Sequence, residues 1–371
     1  MIRVNEDRHL DDRVSTSTVS PTRSPQGLAL IGEGTLRMAP LLPLPDVLAA
    51  CGLDARAVIL ESGGVPELFD DPENVIGFRE MGRLLMHCAS AAGMPTLGLE
   101  TGRRSGLEVL GIIGHLARRA PDVGSALRTI VLYLHLHDRG AVPVLWERGS
   151  QAMLGYVIHR PDVPGIEQIY DGAVAIVFNI LRSLAGRDWK ASEVWLHRAR
   201  PADVGPYRRH FRCRMRFDAP RAAVVFPADD LQRPLETADA PTFERIRDEV
   251  ETLAAIRGMD LSARVRQVLR RLVISGIEPG DPQLEQVARL FAIHGRTLNR
   301  RLRAEGTTFK ALVAEMRYEI ARQLLRDTPL PILEIAIALG YSDTTAFSRA
   351  FSGWCGTPPA AWRLAHMPDS G

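Results

Sequence analysis

Cysteine is scarce in this sequence, and its four copies stand far apart. They are Cys51, Cys88, Cys213 and Cys355, and no pair of them has the C-x-x-C spacing of a zinc ribbon. Isolated thiols also argue against a disulfide framework, so we expect a protein of the reducing cytoplasm.

Long apolar runs are missing as well. Nowhere do eighteen consecutive apolar residues occur, which argues against a membrane span. The first 27 residues are charged and then rich in Ser, Thr and Pro, without the apolar core of a signal peptide. We therefore expect residues 1–25 to form a disordered tail.

The net charge is small, +2 over 371 residues, but it is divided unevenly. Residues 260–371 hold 15 Lys and Arg against 11 Asp and Glu, a balance of +4, and the rest of the chain has −2. A basic C-terminal end is a weak indication of a nucleic-acid partner, since a modest positive balance is also common on other surfaces. With 46% hydrophobic and 24% charged residues, the composition is that of a globular protein of two or three domains.

Helical spacing and strand-like runs alternate over the first 230 residues. The pattern is helical from 45 to about 120, and 125–137 continues as a helix or as a helix running into a strand. Residues 142–161 hold two strand-like runs around a polar turn, as in a hairpin, and 166–185 return to helical spacing.

Two further strand-like runs, 194–201 and 222–227, flank a short helix. These patterns predict a mixed α and β domain over 26–235, followed by a linker over 236–261 whose latter part could be a connecting helix. From Leu261 onward the spacing is helical throughout, so the predicted fold class is α+β.

The stretch ILEIAIALGYSDTTAFSRAF, residues 332–351, predicts a helix, a tight turn and a second helix. Gly340 can adopt the left-handed conformation that ends a helix, and Ser342 or Asp343 can cap the next one. The small side chain of Ala336 lets the second helix cross close over the first, as a helix-turn-helix requires. Four polar side chains of the second helix then face outward: Thr344, Thr345, Ser348 and Arg349.

The same design occurs earlier, over residues 282–309. Ala288 and Ala336 are 48 residues apart, and the second helix of this copy forms around Leu298 and Leu302. Its outward polar side chains are Arg296, Asn299, Arg300 and Arg303. Two copies are far more specific than one.

Between the copies, residues 309–328 have the spacing of a single amphipathic helix of about 20 residues, or about 30 Å. A stiff spacer of that length can set two recognition helices roughly one turn of DNA apart.

Residues 262–366 resemble the DNA-binding domain of the AraC/XylS family of bacterial transcription regulators. The motifs that carry the resemblance are RYEIARQLL in the spacer and ILEIAIALGYSDTTAFSRAFSGWCGTPPAAWR after it. The resemblance implies an all-α domain of seven helices with both helix-turn-helix motifs on one monomer. It also implies double-stranded promoter DNA and RNA polymerase as partners, and a place in the cytoplasm in association with the nucleoid.

The resemblance assigns roles to the outward side chains. The base-reading residues would be Arg296, Asn299, Arg300 and Arg303 in the first copy and Thr344, Thr345, Ser348 and Arg349 in the second. Arginine suits guanine and asparagine suits adenine, whereas Thr297 and Lys310 suit phosphate. For Arg317 in the spacer, a salt bridge within the domain is as good an interpretation as a DNA contact.

The first copy departs from the family pattern at two positions of its turn. Ala292 stands where glycine is usual, and His294 stands where a serine cap is usual. We therefore expect a weaker cap on the second helix of this copy.

The first domain is similar to the arabinose-binding-type domain of a subset of these regulators, on the stretches GLEVLGIIGHLARRAPDVGSALRTIVLYLHLH and RRHFRCRMRFDAPRAAVVFPADDLQRPL. The similarity implies that residues 26–235 sense an unidentified small-molecule effector, which need not be arabinose, or form a homodimer. We expect no cofactor, no metal and no membrane partner.

Three patterns in this domain have alternative interpretations. His135, His137 and Asp138 could bind a metal if they lay on a strand, but no third His or Cys follows at a suitable spacing, so an ordinary polar helix end is favoured. The glycines of GLEVLGIIG favour close helix packing over a nucleotide loop, because the Lys-Ser/Thr of a P-loop is missing. Trp146 and Tyr156 could line an apolar pocket or simply fill the core.

The residues leave two functional classes open. The first is a regulator of transcription that is not an enzyme. The alternative is a DNA-targeted enzyme with its activity in the first domain, although Cys51, Cys88 and Cys213 have no neighbouring His or Glu to activate a thiolate.

Overall fold

The computed structural model describes residues 34–158, 163–219, 221–256, 261–274, 283–291, 293–327 and 330–366. The expected tail at 1–25 lies outside these ranges, as does Ala292 in the first turn. Within them, a mixed α and β unit is followed by an all-helical one, so the predicted α+β fold class is confirmed.

The elements follow one another along the chain with short connections. The helices of the first part are α1 (Leu44–Ala50), α2 (Ala55–Glu61), α3 (Phe78–Ala91), α4 (Leu97–Gly102), α5 (Ile112–Arg118), α6 (Val123–Tyr133), α7 (Ile166–Ala185), α8 (Gly205–Phe211) and α9 (Ala240–Ile256). The strands are β1 (Thr35–Arg37), β2 (Val75–Gly77), β3 (Ala141–Arg148), β4 (Gln151–Ile158), β5 (Glu193–Trp195), β6 (Arg214–Arg216) and β7 (Ala222–Pro227). Short 3-10 helices lie at Ala39–Leu41, Pro66–Asp70, Leu107–Leu110, Leu134–Leu136 and Ala228–Gln232.

Five strands form the main sheet in the order β3-β4-β7-β5-β6. The predicted hairpin is confirmed, since β3 and β4 pair antiparallel from Ala141 opposite Ile158 to Arg148 opposite Gln151. Only β5 and β6 run parallel among the pairs of this sheet. β1 and β2 form a separate antiparallel pair.

The strand predicted over 194–201 is wrong beyond Trp195. The chain leaves the sheet there because Arg198 enters the interior. Its Nη1 atom donates to the Asp171 carboxylate over 2.6 Å and to the Tyr207 hydroxyl over 2.7 Å. A buried charge needs such partners, and satisfying it outweighs continuing the ladder.

Helices α4 and α7 cross with almost no side chain between them. A Cβ atom on Gly98 would lie 2.0 Å from the Gln168 carbonyl oxygen, and one on Gly102 would lie 2.3 Å from that of Gly172. Polar side chains of α7 complete the contact, because Gln168 accepts from the Gly98 N–H over 2.8 Å. Glycine is required here for close approach, not for an unusual backbone angle.

The segment expected as a linker, 236–261, largely forms helix α9, which packs against α5. Val250 and Ala254 of α9 are buried in the same core as the first domain. A boundary at residue 235 therefore divides elements that share one core.

Seven helices follow among the described residues: α10 (Leu261–Ile274), α11 (Leu284–Leu290), α12 (Gly295–Ala304), α13 (Phe309–Asp327), α14 (Ile332–Ala338), α15 (Thr344–Cys355) and α16 (Pro359–His366). They enclose two apolar cores. Helix α13, the predicted spacer, contributes Leu312 and Met316 to the first core and Ala321 and Leu325 to the second. Ile320 packs against both, so a single helix joins the two motifs.

The helix crossing at Gly102 gives a test of the fold. Gly102→Ala should lower the free energy of unfolding by about 1–3 kcal/mol, because the new methyl group meets the Gly172 backbone, which cannot rotate away. The measurement is thermal and denaturant unfolding of the full chain.

Gly353→Ala on α15 is the matched control, since a Cβ there meets no atom within 4 Å. In a helix interior this change should be neutral or stabilise by up to about 1 kcal/mol. Equal effects of the two substitutions would contradict the close crossing.

Candidate nucleic-acid interface

The second helix-turn-helix is formed by α14 and α15. Gly340 lies between them with φ of +81°, the left-handed conformation expected for this turn. The cap is Asp343, whose Oδ1 accepts from the Ala346 N–H over 2.8 Å, and Ser342 supports it by donating to the same carboxylate. The Ala346 N–H, followed by the Ser342 hydroxyl, lowers the pKa of Asp343 below its ordinary value, so the carboxylate is charged at neutral pH.

Buried rings hold α15 in place and leave its other side open. Phe347 and Phe351 are fully buried, as is Ala336 on the helix that α15 crosses. Thr345 and Arg349 are exposed, whereas Thr344 and Ser348 are half-buried at the edge of the exposed side. The predicted outward face of α15 is therefore present, with Arg349 as its single cation.

The first helix-turn-helix is formed by α11 and α12. Val287, Ala288, Leu298 and Leu302 are fully buried, which confirms the predicted packing faces. His294 precedes α12, and its side chain makes no capping hydrogen bond. Instead Glu285 on α11 accepts from the Gly295 N–H over 3.2 Å, so the neighbouring helix supplies the cap that the turn lacks.

Helix α12 presents a strongly cationic surface. Arg296, Arg300, Arg301 and Arg303 are all exposed, opposite the buried leucines. None of these arginines, and neither Arg349 nor Lys310, forms an ion pair within 4 Å with any residue that the structure describes. Unpaired guanidinium groups on a rigid helix suit phosphate and base edges. Arg301 was not among the residues selected from the sequence.

Three predicted contact residues lie at the edge of this surface. Thr297 is half-buried and Lys310 is exposed at the start of α13. The side-chain oxygen of Asn299 accepts from the Phe309 N–H over 3.3 Å, which ties the end of α12 to α13. A bidentate contact of Asn299 with adenine therefore competes with a hydrogen bond inside the domain.

Arg317 lies inside the helical domain rather than on its face. Its guanidinium carbon is 4.9 Å from the centre of the Tyr341 ring, in the turn of the second motif. This cation–π contact supports an intradomain role, with an aromatic ring as partner.

A polar cluster joins the first domain to α10, which begins the helical domain. The Tyr133 hydroxyl at the end of α6 donates to Glu251 of α9 over 2.6 Å, and Arg264 of α10 donates to the same carboxylate over 3.2 Å. The Arg264 guanidinium carbon lies 5.3 Å from the Tyr133 ring centre and 5.4 Å from that of Phe291, which follows α11. We call these four residues the junction.

The contacts of the junction shift the pKa values of Glu251 and Tyr133 in opposite directions. Burial alone would raise the pKa of Glu251, but the hydrogen bond from Tyr133 and the charge of Arg264 outweigh it and lower that pKa. Burial, with the hydrogen bond to Glu251, raises the pKa of Tyr133. Sequence reasoning missed the junction because Tyr133 and Glu251 are 118 residues apart and follow no motif.

The helical interpretation of the His135 segment holds. Helix α6 ends at Tyr133 and a 3-10 helix covers Leu134–Leu136, so the two histidines do not share the face of a strand. The part of the chain that the structure describes holds no group of three His, Cys, Asp or Glu placed to bind a metal. Burial raises the pKa of the Cys88 and Cys213 thiols to about 11 each, the opposite of activation.

Two family models match the chain in consecutive regions. The model described as "Arabinose-binding domain of AraC transcription regulator, N-term" matches residues 52–235. The model described as "Helix-turn-helix domain" matches residues 287–365, which include the second motif and all of the first except the beginning of α11. Among the described residues, no helix is both long and apolar enough to cross a membrane.

Known regulators are similar over most of the chain. The ornithine utilization regulator of Pseudomonas aeruginosa is 29% identical over 323 residues, which are 87% of this chain and 94% of that protein. The HTH-type transcriptional regulator VirS of Mycobacterium tuberculosis is 29% identical over 285 residues, 76% of this chain and 82% of its own. The crystal structure of transcriptional regulator CdpR from Pseudomonas aeruginosa aligns with a TM-score of 0.38 and 26% identity, over 72% and 86% of the two chains.

The two caps predict a difference in stability between the motifs. Asp343→Ala should lower the melting temperature of the helical domain by a few degrees, because the Ala346 N–H loses its acceptor. His294→Ala should change it little, because that side chain caps nothing.

The measurement is thermal unfolding of both variants, followed by circular dichroism. A larger loss from His294→Ala than from Asp343→Ala would contradict the assignment of the caps.

Proposed function

The chain belongs to the AraC/XylS family and is a DNA-binding transcription regulator, and from this premise we propose that one monomer reads two successive major grooves of promoter DNA. The observation that carries the proposal is the pair of faces with exposed arginines on α12 and α15, joined by helix α13. At about 1.5 Å per residue, the 19 residues of α13 span about 28 Å, close to one turn of B-DNA.

We assign base reading to the exposed cations first. Arg296, Arg300 and Arg303 on α12 and Arg349 on α15 suit guanine, which they can contact with two hydrogen bonds. Thr344, Thr345 and Ser348 complete the face of α15, with Thr297 and Lys310 placed for phosphate. Asn299 takes part in base reading only if it releases the Phe309 N–H.

The first domain controls this binding through the junction. Helix α11 packs against α6 and α10 packs near β3, while α12 and α15 keep their polar faces open. An effector or a dimer contact that moves α6 therefore acts first on the helix pair beneath the first motif. Such control needs two arrangements of the junction whose relative stability the effector changes.

The remaining partners follow from this function. We propose that the protein acts on chromosomal DNA in the bacterial cytoplasm, with RNA polymerase and a second copy of the chain as further partners. The alternative of a DNA-targeted enzyme has no support from Cys88 or Cys213, whose raised pKa values make poor nucleophiles.

The direct test is footprinting of the full chain on the DNA upstream of its own gene. We expect one protected site of two parts about one helical turn apart, with an affinity that falls steeply as salt rises. Absence of any protected site, or an affinity that does not depend on salt, would reject the proposal.

Arg349→Ala tests the second recognition helix. It should cost about 1–3 kcal/mol of binding to the specific site, concentrated at one base pair, and leave non-specific binding nearly unchanged. The measurement is a gel-shift titration against operators substituted at each position.

Arg363→Ala is unsuitable as a control because Arg363 holds the Leu325 and Leu330 carbonyls. Arg187→Ala, an exposed arginine that follows α7 in the first domain, provides the comparison. Equal loss on every sequence would reassign Arg349 to phosphate contact.

Arg264→Met tests the junction. Removing the guanidinium leaves Glu251 without its cation, so we expect faster amide hydrogen exchange in α11 and at the end of α6. The measurement is hydrogen–deuterium exchange of the full chain.

Arg266→Met is the matched control two residues away, where the exposed arginine pairs with Glu315 inside the helical domain. If exchange is unchanged in Arg264→Met, or changes equally in both variants, the contact between Arg264 and Glu251 does not link α6 to α11. The proposed control through the junction would then be rejected.

A further inference from the structure

The first domain contains a partly enclosed cavity of about 100 Å³ between α4, α6, α7 and the β3–β4 hairpin. For comparison, an apolar cavity of roughly 150 Å³ holds benzene, so a ligand of that size would fill this cavity and extend into its open side. Of the 24 residues that line it, 19 have apolar side chains or are glycines. The space therefore suits a compact ligand that is mostly hydrocarbon.

Five polar side chains line the cavity, and four of them are already engaged by the protein. Thr101 donates to the Leu97 carbonyl, and Gln168 bonds the Gly98 N–H and the Pro95 carbonyl. The Tyr156 hydroxyl donates to Asp138 over 2.5 Å. Asp138 also accepts from the N–H groups of Gly140 and Ala141.

His137 is the fifth polar side chain. The residue lines this cavity and also a smaller neighbouring one that contains Arg37, and it is buried, with a relative exposure of 4%. No hydrogen bond to its ring is found among the residues that the structure describes. A buried polar group without a partner is costly, and a ligand can supply the missing bond.

We propose that this cavity is the effector site and that its ligand is a small, uncharged, mainly apolar molecule with one hydroxyl or carbonyl group bonded to His137. The proposal rests on the proposed function, since it names the ligand class of the domain that controls DNA binding.

The protonation state of His137 agrees with this ligand class. Burial, with the nearby charge of Arg37, lowers the pKa of His137 to about 3, so the ring is neutral at physiological pH. A neutral imidazole has one donor and one acceptor nitrogen and serves either polar group. The ring gives an anionic ligand no positive charge.

A sugar fits this cavity poorly, despite the name of the matching family model. A pentose has several hydroxyl groups, and one free imidazole cannot satisfy them all. Each hydroxyl buried without a partner loses its hydrogen bonds to water, so the apolar walls select against it. A charged ligand is excluded still more strongly for the same reason.

The position of the cavity explains how occupancy would reach the DNA-binding domain. Ile130 near the end of α6 and Leu134 directly after it line the cavity, on either side of Tyr133. Tyr133 itself points to Glu251 and the junction. A ligand that displaces the end of α6 therefore changes the hydrogen bond between Tyr133 and Glu251, the carboxylate that Arg264 also contacts.

The test uses five probes of similar size with the full chain. Ethylbenzene and benzyl alcohol are neutral, benzoate and benzylammonium are charged, and L-arabinose is a polyol. We expect the two neutral aromatic compounds to raise the melting temperature in a concentration-dependent way, and the other three to have no effect. Equal shifts from the charged compounds or the sugar, or no shift from any probe, would overturn the proposal.

Two variants locate the site. Ala173→Leu, which fills the cavity from the half-buried side of α7, should abolish the shift, whereas Ser183→Leu on the exposed side of the same helix should retain it. A shift that persists in Ala173→Leu places the probes elsewhere. His137→Phe should weaken benzyl alcohol about five- to tenfold relative to ethylbenzene, the worth of one hydrogen bond.

An unchanged ratio in His137→Phe would remove the histidine from the site, even if Ala173→Leu failed to fold. Footprinting of the same preparations separates this proposal from the proposed function. Protected DNA without binding of the neutral probes rejects the cavity alone. Binding of the probes without protected DNA leaves the cavity standing and rejects the regulator as proposed.

Discussion

The shared helix α13 is the constraint on which the DNA-binding half of the molecule depends. Its first half is buried with α10 through Leu312 and Met316, and its second half is buried with α14 to α16 through Ala321 and Leu325. The core of each motif therefore includes side chains of this one helix. Burial of these side chains therefore stabilises each motif and also sets one motif relative to the other. Arg363 strengthens the second attachment by donating to the Leu325 and Leu330 carbonyls.

Helix α6 has a comparable double role in the first domain. Its Ile130 side chain lines the cavity, and its Tyr133 side chain belongs to the junction. The helix therefore contacts the cavity on one side and the neighbouring domain on the other. Nearly all of its side chains are buried, which leaves it little room to relax locally. In the proposed control of DNA binding, such a packed helix would shift as one body. The glycines of α4 and α7 complete the opposite wall.

Features with local causes could be predicted from the sequence. Both helix-turn-helix motifs, α7 and the β3–β4 hairpin follow from periodicity and turn residues within about 30 positions, and the structure has them where expected. The prediction failed at 196–201, where Arg198 bonds Asp171 and Tyr207 rather than extending a strand. It missed the junction, because residues distant in the chain and without a motif create it. It named Tyr156 as a candidate pocket residue, and Tyr156 lines the cavity, but it considered His137 only as a metal ligand. The base-reading roles of the arginines stay predictions.

Covalent continuity through α13 has a consequence for the DNA that this protein can recognise. One residue inserted into the helix would turn everything after it by about 100° and advance it by about 1.5 Å. The exposed face of α15 would then be rotated relative to that of α12, and in the proposed mode of binding it would no longer meet the neighbouring groove. In the proposed mode of binding, the length of a single helix therefore sets the interval between the two DNA segments that the protein contacts.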